Sequence, residues 1–485
     1  MVKEKFYVTT AIDYVNAEPH IGHAYQKIVA DVLARWHKLL GKDVLFVTGT
    51  DEHGLKIQRS AEKAGKKPKE FVDEVSEKFK EAWKVLNIEY DRFIRTTDKD
   101  HYAIVKEIIE KVNEKGDIYK GNYEGLYCVG CEAYYTEKDA PDFVCPVHKA
   151  PLETIKEESY FFKLSAYQDF LLELYDKNPE FVLPAKSRNE VRNRVKEGLK
   201  DLSISRTSFD WGVPFPLDEK HVTYVWFDAL LNYYTATREK GREGFWPADV
   251  HLLGVDNTWF HAVYWPAMLK SAGLPLPKTV FNHGFLTFNG QKISKSLGNA
   301  ISPKTLVEKY GADSVRYFSC RQFPFALGEG GDFDENALVD RHNNELANKF
   351  GNLVSRVSAL AEKYGLEKSE GEFLKLFDNV DLENIKEKME NFELDKALNF
   401  IFEKIDVCNT KIQTDKPWEV EEGRRKVLYE LANGIKDFTI LLSSFMPETC
   451  AKVSERFGFG LTLEDLEKDL EIKEIKKGEI LFGKI

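Results

Sequence analysis

The fold is decided by residues 5–48, which have the sequence KFYVTTAIDYVNAEPHIGHAYQKIVADVLARWHKLLGKDVLFVT. Residues 5–11 predict a short buried strand because they are mostly apolar or β-branched. Residues 22–40 predict a helix, since their apolar side chains recur every three or four positions, and Gly41 suits its C-terminal cap. Residues 43–48 predict a second buried strand. A strand, a helix and a strand in such close succession form a βαβ unit, which implies a parallel sheet.

The rest of the chain predicts a second half of this sheet, an insertion and a helical region. Two further helices are predicted at residues 68–87 and 99–115, with a strand-like segment at residues 90–95 between them. From residue 116 the sequence is dense in Gly, Tyr, Cys and Pro, which is typical of an inserted unit with short strands. The alternation of strands and helices then returns, with predicted strands at residues 222–227, 250–253 and 279–293 and a helix at residues 260–272. From residue 335 the pattern predicts a helix bundle, with helices near residues 343–364, 383–389, 394–413 and 418–445.

The motif HIGH at residues 20–23 lies where the first strand gives way to the first helix. Phosphate groups bind at such a position because the amides at a helix N-terminus point outward and carry partial positive charge. The two imidazoles add hydrogen-bond donors, and the glycine lets a flat base approach the backbone. We therefore predict that His20, Gly22 and His23 bind a nucleotide. The alternative is a capped helix with incidental histidines.

A second motif, KISKS at residues 292–296, follows a predicted hairpin with an Asn289-Gly290 turn. A mobile loop with two lysines can close over a triphosphate and neutralise charge that develops on its leaving group. Taken alone, a solvated basic turn is the simpler interpretation. The presence of the histidine motif in the other half of a split sheet favours nucleotide chemistry.

Cys128, Cys131, Cys145 and His148 have the spacing of a metal site, with two C-x2-C/H pairs separated by 13 residues. Two ligand pairs on two tight turns supply the four sulfur or imidazole ligands that tetrahedral Zn²⁺ takes in proteins. Four protein ligands leave no open coordination position, so we expect one structural zinc ion per chain. The alternative is a set of unrelated free cysteines.

Together, the patterns predict an α/β fold with three parts. A Rossmann-type parallel sheet (residues 1–115 and 222–334) is split by a zinc-binding insertion (residues 116–221) and followed by an all-α helix bundle (residues 335–485).

The composition limits the location and the partners. The 485 residues contain six cysteines, no apolar run long enough to span a membrane and no signal peptide, which predicts a cytoplasmic protein without membrane association. The net charge of −11 argues against a nucleic-acid partner, but residues 186–206 hold seven basic and three acidic residues. That stretch is either a local nucleic-acid-binding stripe or a solvated helix face.

A group of aromatic and polar residues lies at or just beyond predicted strand ends in both halves of the sheet: Tyr14, Asp51, Trp226, Tyr233 and His261. Aromatic side chains with one carboxylate can form an apolar pocket with an anchor for an ammonium group. By pattern alone, core packing is the simpler interpretation of each residue.

The paired motifs resemble the two signatures of class I aminoacyl-tRNA synthetases, and further stretches resemble the methionine-specific members of that family. These stretches are DYVN at residues 13–16, GTDEHG at 49–54, YVWFDA at 224–229 and FHAVYWPA at 260–267, together with the zinc-ligand spacing. The resemblance spans essentially the whole chain. It implies that methionine is activated with ATP to methionyl-adenylate and transferred to the 3′ end of tRNA(Met), with Mg²⁺ accompanying ATP.

The resemblance also implies roles for individual residues. The methionine pocket would comprise Ile12, Tyr14, Asp51, Trp226, Ala229, Leu230, Tyr233 and His261, with Asp51 holding the α-ammonium group. The ATP site would comprise His20, His23, Lys292, Ser294, Lys295 and Ser296, and the catalytic set would be His20, Gly22, His23, Lys292 and Lys295. The anticodon would contact Asn352, Arg356 and Trp418.

Two residues depart from the family pattern. Ile293 replaces a commoner methionine, and Leu230 stands where many relatives have proline, which puts the edge of the pocket in doubt. The additional dimerising domain that many relatives have after the bundle is not found, so we expect a monomer. The alternatives are a synthetase for another apolar or sulfur amino acid, a small-molecule nucleotidyltransferase and a non-catalytic tRNA-binding paralogue. The intact motifs and the bundle with Trp418 favour the methionine enzyme.

Overall fold

A seven-stranded sheet forms the centre of the structure, a computed structural model that describes residues 3–130, 133–135, 140, 142–146, 149–293, 300–369 and 376–485. We label its strands in chain order: β1 (Lys5–Thr10), β2 (Asp13–Tyr14), β3 (Asp43–Asp51), β4 (Arg92–Arg95), β5 (Val182–Leu183), β6 (Val250–Gly254) and β7 (Thr279–His283). They are ordered β2-β3-β1-β6-β7-β5, with β4 also paired to β3. Every pairing within this sheet is parallel, which confirms the predicted α/β sheet.

The two halves of the chain meet at β1. Val8 of β1 lies opposite Phe46 of β3 on one side and opposite Val250 of β6 on the other. The helix Ile21–Leu39, which we call the signature helix, packs on this junction with its apolar side chains buried, as its periodicity predicts. The carboxyl ends of β1, β3 and β6 therefore lie together at one edge, where parallel sheets bind ligands.

The segment between the two halves forms an antiparallel sheet of its own. Its strands are Ile118–Cys128, Ala133–Tyr135, Glu153–Phe162 and Leu202–Ser203, and its helices are Gln168–Lys177 and Ala185–Lys196. One part of it does not stay separate, because β5 pairs with β7 and so adds an edge strand to the main sheet. The insertion is thereby held to the outer strand, β7, of the second half of the sheet.

The prediction of a strand at residues 222–227 is wrong. Only Val222–Thr223 is extended, and it pairs antiparallel with Ser205–Arg206 outside the main sheet. The helix Val225–Ala229 follows directly. A short, mostly buried apolar run has no periodicity that separates a strand from a helix, which explains the error.

The remaining elements flank the sheet or form the bundle. The flanking helices are Leu55–Lys63, Pro68–Val85, Lys99–Glu114, Asn232–Thr235, Phe260–Tyr264 with Trp265–Ser271, Pro303–Tyr310 and Ala312–Gln322. The predicted Asn-Gly hairpin joins Leu286–Phe288 to Gln291–Lys292, with Gly331–Asp332 beside it. The bundle comprises Glu335–Arg341, His342–Gly351, Asn352–Tyr364, Asn379–Glu390, Leu394–Asp415, Arg424–Leu442, Pro447–Phe457 and Leu463–Leu466. Within the described ranges, no helix combines the length and apolarity that a membrane span needs.

Candidate active site

A cavity of about 560 Å³ opens at the carboxyl edge of the main sheet. Its walls include Ala11 after β1, Asp51 at the end of β3, Gly254 at the end of β6 and His283 at the end of β7. Four adjacent parallel strands thus deliver their last residues to one space, which is the position where open α/β sheets bind nucleotides.

The predicted site residues converge on this cavity. All eight residues assigned to the methionine pocket line it: Ile12, Tyr14, Asp51, Trp226, Ala229, Leu230, Tyr233 and His261. The motif residues His20, Gly22 and His23 line it as well, and so does Ile293. Lys292 pairs through its backbone with Thr287 in the hairpin. Ser294, Lys295 and Ser296 lie outside the described residues.

The histidine motif forms the N-terminus of the signature helix. Nδ1 of His20 accepts a hydrogen bond from the backbone N–H of Gly22 at 3.1 Å and so caps the helix. Nδ1 of His23 accepts one from the backbone N–H of His20 at 3.2 Å, and the two rings stack with centroids 3.8 Å apart. Because both Nδ1 atoms are acceptors, each neutral ring has its proton on Nε2. The motif therefore supplies two imidazole N–H donors at a helix N-terminus, a suitable arrangement for phosphate.

Two features hold the motif in this state. A Cβ on Gly22 would lie 3.0 Å from the ring of His20, so a larger residue would push the capping ring away. Burial lowers the pKa of His23 well below its usual range, and the electrostatic influence of the neighbouring His20 and Lys27 acts in the same direction. His23 is therefore neutral near pH 7 and acts as a hydrogen-bond donor rather than as a cation.

A neutral histidine also lies in the part of the cavity assigned to methionine. Nδ1 of His261 lies 3.0 Å from the carbonyl oxygen of Asn257, an acceptor, so Nδ1 holds the proton. Nε2 must then accept, and the hydroxyl of Tyr233 donates to it at 2.6 Å. Burial lowers the pKa of His261 to about 4. This pair gives the pocket a fixed wall without a net charge, which suits an uncharged thioether side chain.

Trp226 forms a second wall of the pocket. Its indole lies parallel to the ring of Phe260, with centroids 3.5 Å apart and an interplanar angle of 3°. Phe260 lies in the FHAVYWPA stretch but is absent from the predicted pocket residues, because the sequence cannot place two aromatic rings from separate segments face to face. The stack fixes the indole where it lines the cavity.

Asp51 brings a carboxylate to the same space. It is buried at the end of β3, and it pairs in register with Tyr14 of β2. Asp51, Asp13 and Tyr233 all line the cavity. Burial raises the pKa of the Tyr233 hydroxyl, and the negative charges of the two carboxylates act in the same direction. A carboxylate beside an apolar pocket is the arrangement that binds an amino acid by its ammonium group.

A buried ion pair beneath the cavity has no counterpart in the predictions. Nζ of Lys27, a residue with no solvent exposure, donates to Oδ1 of Asp13 at 2.6 Å and to the carbonyl oxygen of Ala11 at 3.2 Å. Burial raises the pKa of Asp13 to about 6 although Lys27 opposes that shift. Asp13 begins the family stretch DYVN, but Lys27 is a single charged residue in the apolar periodic signature helix, so the sequence does not identify the two as partners. The pair fixes the turn after β1 against the signature helix.

The stretches GTDEHG and YVWFDA meet in a buried network behind the pocket. Asp228 accepts from Nδ1 of His53 at 2.6 Å through one carboxylate oxygen and from Nε2 of His101 at 2.7 Å through the other. Burial favours the neutral acid, but the two imidazoles outweigh it and lower the pKa of Asp228. The charged Asp228 therefore ties the loop after β3 to the helix that holds Trp226. The network therefore joins the wall that contains Asp51 to the wall that contains Trp226, although the two segments are far apart in the sequence.

Two of the four predicted zinc ligands belong to the described part of the chain. Cys128 ends the strand Ile118–Cys128, and Cys145 lies in a turn closed by the hydrogen bond from its own N–H to the carbonyl oxygen of Ala150 at 2.8 Å. Both thiols are buried. Cys131 and His148 lie outside the described residues. One buried thiol at a strand end and another in a turn fit the donor set of a structural zinc site.

The residues assigned to the anticodon lie on the bundle. Asn352 and Arg356 are one turn apart on the helix Asn352–Tyr364, so they share a face. The guanidinium of Arg356 lies 4.8 Å from the ring centroid of Trp418. Trp418 is only half-buried and lies in the turn before the helix Arg424–Leu442, where its predicted helix has not yet begun. A partly exposed indole beside a guanidinium is a surface on which an unpaired base can stack.

The chain is similar to known proteins over its whole length. A family model described as "tRNA synthetases class I (M)" matches residues 6–152 and 139–358. The methionine–tRNA ligase of Caldanaerobacter subterraneus is 45% identical over an alignment that covers 100% of this chain and 79% of the relative. The methionine–tRNA ligase of Thermotoga maritima is 46% identical, with 99% of this chain and 80% of the relative covered.

Solved structures extend the similarity to the fold. Methionyl-tRNA synthetase from Mycobacterium tuberculosis in complex with methionyl-adenylate is 38% identical and has a TM-score of 0.94, with 99% of each chain covered. The apo form of the same enzyme is 36% identical with a TM-score of 0.87, covering 100% of this chain and 98% of that chain. The chain therefore belongs to the methionine–tRNA ligases, a family of class I aminoacyl-tRNA synthetases.

Proposed function

We propose that this chain activates methionine with ATP to methionyl-adenylate and transfers the methionyl group to the 3′ end of tRNA(Met). The observation that carries the proposal is the convergence of the histidine motif and all eight methionine-pocket residues on one cavity. The methionine–tRNA ligases that resemble the chain and the complex of one relative with methionyl-adenylate support the same reaction.

The methionine would lie between Trp226, Tyr233 and His261. The indole and the phenol ring contact the thioether, and the Tyr233–His261 hydrogen bond keeps both polar groups satisfied, so the pocket offers no unpaired donor to a more polar side chain. Asp51 binds the α-ammonium group and thereby orients the carboxylate toward the nucleotide. These residues act by positioning the nucleophile.

ATP would bind with its phosphates at the N-terminus of the signature helix. The imidazole N–H groups of His20 and His23 donate to phosphate oxygens, and Lys292 and Lys295 neutralise the charge that grows on the leaving pyrophosphate. A carboxylate oxygen of methionine attacks the α-phosphorus, the bond to the bridging oxygen breaks, and pyrophosphate leaves. A ribose hydroxyl at the tRNA 3′ end then attacks the carbonyl carbon of the adenylate and releases AMP.

The remaining assignments rest on donor chemistry and on the resemblance. We assign one structural Zn²⁺ to Cys128, Cys131, Cys145 and His148, and Mg²⁺ to the ATP phosphates.

The bundle residues Asn352, Arg356 and Trp418 would bind the anticodon. We assign the protein to the cytoplasm, the compartment in which tRNA is charged for translation. The monomeric state remains a prediction that light scattering tests.

The first experiment is amino-acid-dependent ATP–pyrophosphate exchange with all twenty amino acids in separate reactions without tRNA. We expect exchange with methionine far above the rest. Dominant exchange with another amino acid would retain the class of enzyme and overturn the pocket assignment. Absence of exchange with any amino acid, in folded protein with zinc supplied, would overturn the proposed activity and favour a non-catalytic tRNA-binding role.

A further inference from the structure

Three potential metal ligands meet where the inserted sheet contacts the segment that leads into the second half of the chain. They are Glu158 of the strand Glu153–Phe162, and Asp218 and His221, which precede the strand Val222–Thr223. One ligand atom of each side chain lies within 4.8 Å of the other two. The adenylation and transfer chemistry proposed above uses none of these residues, so the cluster needs an explanation of its own.

His221 directs a nitrogen at the two carboxylates. The residue is almost completely buried, and its Nδ1 lies 2.9 Å from the hydroxyl oxygen of Ser205, which fixes the ring. Nε2 is also buried and has no hydrogen-bond partner among the residues that the structure describes. It lies 3.6 Å from Oε1 of Glu158 and 3.8 Å from Oδ2 of Asp218, too far for hydrogen bonds. A buried polar atom without a partner costs free energy, and an ion bound between the three atoms removes that cost.

A tight turn holds Asp218 and His221 side by side. The N–H of His221 donates to the carbonyl oxygen of Asp218 at 3.0 Å, as in a β-turn. Oδ1 of Asp218 accepts from the N–H of Lys220 at 3.1 Å, so Oδ2 is the oxygen that faces His221. Zn–N and Zn–O bonds of about 2.0–2.2 Å place tetrahedral ligand atoms about 3.4 Å apart. The separations of 3.6 Å and 3.8 Å from Nε2 therefore need only a small contraction to hold an ion.

A cation already lies between the two carboxylates. Nζ of Lys120 is 2.8 Å from Oε1 of Glu158 and 3.2 Å from Oδ2 of Asp218, the same two oxygens that face His221. The Lys120 side chain is 43% exposed, so its ammonium can move into solvent at little cost. One ammonium balances only one of the two carboxylate charges, whereas a dication balances both.

We propose that Glu158, Asp218 and His221 bind a transition-metal dication such as Zn²⁺ or Co²⁺ in exchange for the Lys120 ammonium. An imidazole nitrogen with two carboxylate oxygens suits these ions, whereas Mg²⁺ and Ca²⁺ take oxygen ligands. Water completes the coordination. Three protein ligands and a competing ammonium make this site weaker than the four-ligand zinc site assigned above, so a weak chelator removes its ion and leaves that zinc in place.

The bound ion connects two parts of the chain that the backbone does not join directly. Glu158 belongs to the inserted sheet, whereas His221 lies on the segment that continues into the helix Val225–Ala229 and its cavity-lining Trp226. Metal binding therefore stabilises the junction between the insertion and one wall of the cavity. The inference does not depend on the proposed function, because it concerns residues outside the methionine and ATP sites.

The test is a titration with Co²⁺ of protein that retains its zinc and has been freed of weakly bound metal with a weak chelator and gel filtration. We expect one Co²⁺ per chain beyond the zinc, with weak visible absorption and no thiolate-to-cobalt charge-transfer band, because the ligands are nitrogen and oxygen. Excess Mg²⁺ should not displace the Co²⁺. Glu158→Gln and His221→Gln should each raise the Kd for Co²⁺ at least about tenfold, since even changes next to a metal's ligands have effects of that size.

Lys120→Met should lower the Kd for Co²⁺ by about threefold to tenfold, because the ion no longer has to displace an exposed ion pair. This change removes no ligand, so it tests the site even if His221→Gln fails to fold, which circular dichroism reveals. Glu153→Gln is the matched control, since Glu153 is a half-exposed carboxylate of the same strand whose partner is Arg59 at 2.9 Å. It should leave the Kd unchanged.

Three outcomes would overturn the inference. Absence of a further Co²⁺ from both the unaltered protein and Lys120→Met would make the cluster a network of ion pairs only. An unchanged Kd in both Glu158→Gln and His221→Gln would place the ion elsewhere on the protein. A thiolate-to-cobalt band that accounts for all bound Co²⁺ would show that the ion has replaced zinc at the cysteines.

Discussion

Asp31 and Arg316 form an ion pair with no solvent exposure, in which Nη2 of Arg316 lies 2.6 Å from Oδ2 of Asp31. Asp31 belongs to the signature helix, whereas Arg316 belongs to the helix Ala312–Gln322 that leads toward the bundle. The guanidinium also donates to the carbonyl oxygens of Ser444 and Phe445 at 3.0 Å and 2.9 Å. One buried charged group therefore joins the helix that holds the histidine motif to the bundle.

Replacement of Arg316 by methionine should lower the free energy of unfolding by about 3–5 kcal/mol, because the change leaves the Asp31 carboxylate buried with one partner fewer. Arg316 also satisfies carbonyl groups that methionine cannot. Urea unfolding followed by circular dichroism measures the loss. Arg341→Met is the matched control, since Arg341 pairs with Glu345 at a partly exposed site, and it should change stability little. Equal effects of the two substitutions would contradict the role assigned to the buried pair.

The sequence predicts the parallel sheet and most of the cavity because both depend on local patterns. The signature helix follows from its apolar periodicity. Five of the eight pocket residues lie in the stretches that resemble the family, and Ile12, Leu230 and Tyr233 lie within a few residues of them. The Asp31–Arg316 pair depends on a contact between distant segments. A charged residue in an apolar periodic helix, such as Lys27 or Asp31, gives no local sign of its partner. The helix at Val225–Ala229 was missed for a related reason, since burial on all sides removes periodicity.

Tyr233→Phe should raise KM for methionine in the exchange reaction by about 10- to 100-fold, with a smaller effect on kcat. The substitution removes the donor to Nε2 of His261 and leaves a buried acceptor unpaired, which costs about 1–3 kcal/mol. Tyr234→Phe removes a hydroxyl from the adjacent position, whose residue does not line the cavity, and serves as the control. A Tyr233→Phe enzyme with an unchanged KM would show that the Tyr233–His261 bond does not shape the methionine pocket.

The protein should lose stability as the pH falls below about 6.5, and His37 should contribute to that loss. Burial lowers the pKa of His37 from 6.5 to about 3, and Lys42 acts in the same direction. Between these values the unfolded chain binds a proton that the folded chain does not, so the folded state loses about 1.4 kcal/mol for each pH unit of acidification. The pH dependence is measured by urea unfolding between about pH 7 and pH 4.5, which covers the upper part of the interval between the two pKa values.

His37→Phe should make this pH dependence shallower by one proton. Phenylalanine preserves the stacking on Phe6, whose ring centroid lies 3.5 Å from that of His37, and it cannot be protonated. Nδ1 of His37 has no hydrogen-bond partner in the described part of the chain, so stability at pH 7 should not fall. An unchanged slope would mean that His37 is protonated in the folded state or remains neutral in the unfolded chain.

Cys145→Ser should abolish zinc binding, while Cys320→Ser should retain one zinc ion per chain. Both thiols are buried, but Cys145 lies in the turn with ligand spacing and Cys320 lies in the helix Ala312–Gln322. Metal content is measured by mass spectrometry after gel filtration in the presence of a weak chelator. Loss of zinc should expose the insertion to limited proteolysis, because a segment with a small core depends on its metal. One zinc ion in purified Cys145→Ser protein would contradict the four-ligand assignment.

Trp418→Ala should reduce the ratio of tRNA(Met) charging to exchange by about 10- to 100-fold, since an unpaired base stacked on the indole contributes about 1–3 kcal/mol. The Arg356 guanidinium already lies 4.8 Å from the Trp418 ring, so the ring and the cation are arranged before tRNA binds. Arg356→Ala should therefore cause a loss that is not additive with Trp418→Ala, because each change also removes the partner's contact. A double-mutant cycle on kcat/KM for tRNA measures this coupling. Fully additive losses would show that the two side chains bind different parts of the tRNA. As a control, the unaltered protein, the two single variants and the double variant should all charge a hairpin without an anticodon with the same kcat/KM.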